Sequence, residues 1–199
     1  MRLAATTFIG AHSSKHAAIW SRAWPRMTWP RIKTTHSPLG RTAAVAAAYL
    51  ALTLWCLGYP AAAFARSEEA LVRAAAIEHP YSQAIATTYA AVLQQFLNQP
   101  VRCRAYAEES IALAERYGFT LWLSMATFLR GWAQTMTGDF ESAFEDMQRS
   151  IDLYRNSGAE LGAAYSAALL GDTFGRSGQP DVGLLLLPQA IEMLARTVD

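Results

Sequence analysis

The 199-residue sequence has few of the side chains and motifs that mark enzymes, secreted domains and metal proteins. It contains only two cysteines, Cys56 and Cys103, which are too few for a disulfide framework and typical of buried free thiols in a reducing compartment. It has no nucleophile elbow, no dinucleotide-binding glycine motif, no phosphate-binding loop and no His-Glu-x-x-His zinc motif. We therefore expect a protein that is not an enzyme and that holds no cofactor and no metal.

Charge is also scarce, and it is unevenly distributed. Charged residues make up 17% of the chain, and no Asp or Glu occurs before Glu68. Residues 68–199 carry a net charge of −7, whereas the residues before them hold eight Lys and Arg. The first 41 residues fit none of the repeats described below, and prolines interrupt their tryptophans and basic residues, so no continuous amphipathic helix is expected there. We predict a poorly ordered basic leader over residues 1–41, with no nucleic-acid partner, and a folded domain over residues 42–199.

One uncharged run, residues 42–65, has the length of a membrane segment. Its 24 residues could cross a bilayer, and Arg41 would supply the flanking positive charge. However, the motif Gly58-Tyr59-Pro60 interrupts the run, because proline lacks an N–H and clashes with the preceding helical turn. A membrane-anchored adaptor therefore stays as an alternative, while the expected location is the cytoplasm.

The sequence does contain an internal repeat of about forty residues. Short turn motifs recur at this spacing: Gly58-Tyr59-Pro60, Asn98-Gln99-Pro100, Gly138-Asp139-Phe140 and Gly178-Gln179-Pro180. Apolar residues at steps of three and four occur on both sides of the turns, so each unit is predicted to be a pair of antiparallel helices. The units cover about residues 42–79, 80–119, 120–159 and 160–199.

Small residues stand seven positions before each turn, at Ala51, Ala91, Gly131 and Gly171. Glycine inside a helix lowers the stability of the helix by up to about 1 kcal/mol relative to alanine. Its presence at this position in two units therefore predicts that the helix backbones pack closely there. Because one pair cannot bury its apolar face alone, we predict an all-α fold in which about four pairs stack into a right-handed solenoid. Pro188 is expected to kink or restart the second helix of the last unit.

The paired helices, the small residue before each turn and a second set of small residues after it resemble tetratricopeptide repeats lengthened to forty residues. The second set is Ala63, Cys103, Ala143 and Gly183. More narrowly, four segments resemble the C-terminal repeat region of bacterial class III adenylate cyclase/ATPase fusion regulators: ALTLWCLGYP (51–60), LRGWA (129–133), YRNSGAELG (154–162) and GQP (178–180). This resemblance implies a helical regulatory or scaffolding module associated with a cyclase or ATPase signalling domain, without either catalytic activity.

In tetratricopeptide arrays the first helix of each pair lines the concave face, so equivalent positions define the candidate binding residues. They are Ile85, Val92, Phe96, Met125, Phe128, Trp132, Met136, Tyr165 and Arg176. A largely apolar surface with methionines suits an amphipathic helix, although the same residues could instead form the core between helices. We therefore expect a scaffold that binds a peptide or partner domain. The alternative is a detached module that senses a small ligand for a cyclase/ATPase-type signalling protein.

Overall fold

The computed structural model describes residues 38–157 and 162–198, and these residues form eight helices joined by short turns. The helices are α1 (Pro38–Cys56), α2 (Pro60–Ala76), α3 (Pro80–Phe96), α4 (Pro100–Tyr117), α5 (Thr120–Thr137), α6 (Phe140–Ser157), α7 (Ala163–Arg176) and α8 (Pro180–Val198). This part of the chain contains no strand, so the all-α class is confirmed. The predicted leader falls outside the described residues, except that α1 begins four residues before the predicted domain boundary.

Local sequence accounts for where the helices begin and end. Proline opens five of the eight helices, where its fixed φ suits the first turn and its missing N–H has no helical partner in any case. Left-handed residues end the first helix of each pair at Gly58, Asn98, Gly138 and Gly178, with φ between 55° and 88°. Asn98 adopts this conformation without being glycine, as asparagine does more readily than other residues. The predicted turns at these four positions are confirmed.

Close backbone contacts hold the two helices of a pair together. A Cβ atom added to Gly131 of α5 would lie 3.0 Å from the Ala143 carbonyl oxygen and 3.0 Å from Met147 Cγ, both in α6. In the last pair, a Cβ atom on Gly183 of α8 would overlap the carbonyl oxygen of Gly171 in α7. The close packing predicted from the mid-helix glycines is therefore confirmed in both pairs.

The first helices of successive pairs also contact one another. Helix α1 packs on α3, α3 on α5 and α5 on α7. The second helices α2, α4, α6 and α8 have no Cα atoms within 8 Å of one another in the described part of the chain. Long side chains bridge them instead, as when Arg149 of α6 pairs with Glu115 of α4 at 3.1 Å. The first helices therefore form a continuous layer, and the second helices pack on this layer without contacting one another through their backbones.

The main core lies between the α3–α4 and α5–α6 pairs. Its buried side chains are Ala91, Val92, Cys103, Ala107, Phe128, Leu129, Trp132, Ala133 and Met147. Across the α5–α6 pair, Arg130 donates two hydrogen bonds to the Asp146 carboxylate, at 2.6 and 2.7 Å. This contact raises the pKa of the Arg130 guanidinium, and the bidentate pair fixes the two helices in register.

Two expectations from the sequence need correction. Helix α8 runs through Pro188 without restarting, so of the two expected effects, a kink or a restart, the restart does not occur. Pro188 and Leu184 are both exposed, so water can satisfy the Leu184 carbonyl that the proline ring leaves without an N–H partner. Cys103 is buried as a free thiol, but Cys56 is exposed because it is the last residue of α1, where the chain turns at the surface.

The uncharged run at residues 42–65 is divided by the turn at Gly58 into parts of two helices. Helix α1 takes the first part, and α2 begins at Pro60. Within the described residues, no helix combines the length and the apolar character that crossing a bilayer requires.

Candidate binding site

The nine predicted binding residues fall into two groups by exposure. Four side chains are at most 8% exposed: Ile85, Val92, Phe128 and Trp132. The other five are partly or fully exposed: Phe96, Met125, Met136, Tyr165 and Arg176. The buried residues pack between helices, so a partner could reach only the second group without opening the core. A binding role for these residues stays a prediction.

Aromatic contacts connect three of the first helices. Phe96 of α3 meets Tyr165 of α7 edge to face, with ring centroids 6.1 Å apart, and stacks on Trp55 of α1 at 6.2 Å. The Tyr165 hydroxyl donates a hydrogen bond to Gln95 Oε1 on α3. Desolvation raises the pKa of the Tyr165 phenol, whose hydroxyl is the donor in this hydrogen bond. These contacts span seventy residues of sequence and could not be read from local periodicity.

A cavity of about 350 Å³ lies between the α5–α6 and α7–α8 pairs. Four of the predicted residues line it: Val92, Met125, Phe128 and Tyr165. The last pair packs less closely on α5–α6 than the earlier pairs pack on each other. The cavity is the space that this looser packing leaves, and it brings predicted residues from α3, α5 and α7 to one place.

The cavity wall is mainly apolar. No Asp, Glu, Lys, Arg or His occurs among the described residues that line it. Ser124 and Ser150 also line it, but each hydroxyl donates to the other residue's backbone carbonyl, at 2.9 and 2.8 Å. These two donors are already engaged, and such a wall suits a neutral molecule or an apolar side chain better than an ion.

A larger groove of about 560 Å³ lies among α2, α3 and α4, and sequence reasoning missed it. Glu109 and Arg116 of α4 line it together with Gln83 of α3, and none of the nine predicted residues does. Tyr106 of α4 also lies there, and burial followed by the charge of Glu68 raises its pKa. The groove follows from the separation of α2 from α4, which depends on how whole helix pairs pack.

The described residues do not gather three or more His, Cys, Asp or Glu side chains in the arrangement of a metal site. Burial raises the pKa of the Cys103 thiol to about 12, so this side chain is a poor nucleophile at neutral pH. No known protein family matches the sequence, and no curated protein is significantly similar to it.

Proposed function

We propose that this chain is a non-catalytic interaction module that binds a peptide or a partner domain on the face formed by its first helices, α1, α3, α5 and α7. The observation that carries the proposal is the packing of these helices in one continuous layer while the second helices stand apart. In a curved array, helices on the inner side crowd together and those on the outer side spread. This packing supports the assignment of the layer as the concave face, on which solenoids bind their partners.

The proposed architecture is a right-handed solenoid of tetratricopeptide-like pairs with a forty-residue unit. Supporting it, the second helices begin at residues 60, 100, 140 and 180. A left-handed residue lies two positions before each of these starts, at Gly58, Asn98, Gly138 and Gly178. The glycine contacts inside the last two pairs also fall at equivalent positions, since Gly131 approaches Ala143 and Gly171 approaches Gly183.

The exposed part of the face offers apolar contacts beside charge. Phe96, Met136 and Tyr165 are partly exposed there. At the end of α7, Arg176 pairs with Asp172 at 2.7 Å, and both side chains are nearly half exposed. Methionine adapts its shape to different partners, and charges at the rim orient them. The partner that fits such a surface is an amphipathic helix with a polar edge.

The partner's class is proposed from the sequence resemblance alone. The segments that resemble the repeat region of cyclase/ATPase regulators support a signalling domain of that kind, and with it a cytoplasmic location. A membrane-anchored adaptor is less well supported, because the turn at Gly58 and the start of α2 at Pro60 divide the uncharged run on which that alternative depends.

Selection of peptides from a displayed library of helical sequences tests the proposal. We expect the selected peptides to be amphipathic and to lose binding to Met136→Glu, which places a charge on the inner face. The matched control is Val101→Glu on α4, which makes a similar change at an outer position that is 77% exposed. Peptides that bind the Met136→Glu variant as well as wild type, but fail to bind Val101→Glu, would place the interaction on the second helices instead.

A further inference from the structure

We propose that the cavity between the α5–α6 and α7–α8 pairs binds a neutral, mainly apolar small molecule that carries a single hydrogen-bonding group. This goes beyond partner binding, since a ligand inside the cavity would not occupy the exposed positions Met136 and Arg176. The inference rests on the size of the cavity, on the residues whose small size creates it and on the chemistry of its wall.

The size of the cavity is that of a small-molecule site. Its volume of about 350 Å³ lies in the lower part of the range of ligand pockets, which is about 300–1,000 Å³. An apolar cavity of about 150 Å³ already binds benzene in an engineered protein. The space here is therefore sufficient for a molecule of about two to three aromatic rings.

Small residues at the start of α7 create the space. Gly162 and Ala163 line the cavity, whereas Trp122 and Leu123 stand forty residues earlier, at the start of α5. The Trp122 side chain is buried there against Tyr89, with ring centroids 5.9 Å apart. Gly162 has φ +98°, a conformation that a tryptophan would adopt only with strain. The residue just before α7 thus has no side chain, whereas forty positions earlier the third residue of α5 has the largest one.

The cavity wall selects for a neutral ligand with one polar group. Met125, Phe128, Leu170 and Leu186 supply apolar surface, and an ion would lose its hydration among them without a charged partner on any described lining residue. Ser166 also lines this space, and its hydroxyl forms no hydrogen bond with another residue that the structure describes. The Gln189 side chain lines it too, but its amide already donates to the Leu185 carbonyl at 3.3 Å. A hydroxyl or carbonyl group on the ligand would therefore pair with Ser166.

Fluorescence of N-phenyl-1-naphthylamine, a neutral probe with three aromatic rings that brightens in apolar surroundings, tests the site in the full chain. We expect saturable enhancement and displacement by neutral 1-naphthol. The anion 1-naphthoate has the same ring system but should displace the probe at least about tenfold less well, because its charge would be buried without a partner. Equal displacement by both compounds, or no saturable enhancement at all, would overturn the proposal.

Filling the cavity locates the bound probe. Ala163→Leu restores the residue found forty positions earlier and should weaken probe binding at least about tenfold, since the added side chain takes the ligand's place. Ala105→Leu on α4 is the matched control, because Ala105 is exposed and does not line the cavity. Equal affinities of the two variants would exclude this cavity as the site.

Two further variants keep the test decisive. If Ala163→Leu loses its helical circular dichroism, Ala167→Leu fills the same cavity from the next turn of α7. Ser166→Ala keeps the volume and removes the hydroxyl, so it should weaken binding of 1-naphthol more than binding of the probe. A Ser166→Ala variant that binds 1-naphthol as tightly as wild type would contradict the assigned polar contact.

Discussion

The contact between α7 and α8 makes a quantitative prediction for Gly183→Ala. The new methyl group would overlap the carbonyl oxygen of Gly171 and would lie 3.4 Å from the backbone nitrogen of Gly175. Both neighbours are backbone atoms, so they cannot yield as a flexible side chain would. The two helices must therefore separate, and the whole pair must repack.

The expected effect is the difference between two opposing terms. Overpacking a close contact costs about 1–3 kcal/mol, and replacing a mid-helix glycine by alanine returns about 0.5–1 kcal/mol. Because the overlap is with backbone, we expect the packing term to dominate. Gly183→Ala should lower the free energy of unfolding by about 1–2 kcal/mol, which corresponds to a fall in Tm of about 2–8 °C for a chain of this size.

Gly175→Ala is the matched control, because it adds the same methyl group in α7 where nothing lies within 4 Å. It should raise the free energy of unfolding by about 0.5–1 kcal/mol through helix propensity alone. Urea unfolding followed by circular dichroism measures both variants. If Gly183→Ala were as stable as Gly175→Ala, the close approach of α7 and α8 would be refuted.

Two further predictions concern the burial of single side chains. Trp132→Ala should lower the free energy of unfolding by about 3–5 kcal/mol, because the Trp132 side chain is 3% exposed and packs in the main core. An unchanged urea midpoint would place Trp132 at the surface instead. Of the two thiols, Cys56 should react rapidly with a disulfide reagent at mildly alkaline pH. Cys103, whose pKa burial raises to about 12, should react only in denaturant, and equal rates in the folded protein would contradict its burial.

The helices and their turns could be predicted because their signals are local. Proline and the Gly or Asn turns mark the boundaries, and apolar periodicity marks the helices between them. The close glycine contacts could also be predicted. Glycine destabilises the middle of a helix, so its recurrence at equivalent positions of two units indicates that the backbones approach closely there. The continuous course of α8 past Pro188 could not be predicted from the sequence, because it depends on which side of the helix faces water.

The candidate site was only partly accessible from sequence. Equivalent positions in the units identify the first helices, but they do not give the rotation of each helix about its axis. Equivalent positions therefore predict Ile85 and Trp132 as binding residues, although both are buried and neither lines the cavity. The contact of Tyr165 with Gln95 and the looser packing of the last pair depend on how several pairs stack together. Both are properties of the assembled helices, which no single segment specifies.

Hydrogen exchange of the chain with and without a selected amphipathic peptide shows which face of the array the peptide covers. We expect the peptide to slow amide exchange in α3, α5 and α7, around the exposed residues Phe96, Met136 and Tyr165. Exchange in α2, α4 and α6 should stay unchanged, because these helices lie away from the proposed binding face. Protection confined to the second helices would contradict the account, since the partner would then bind the opposite side of the array.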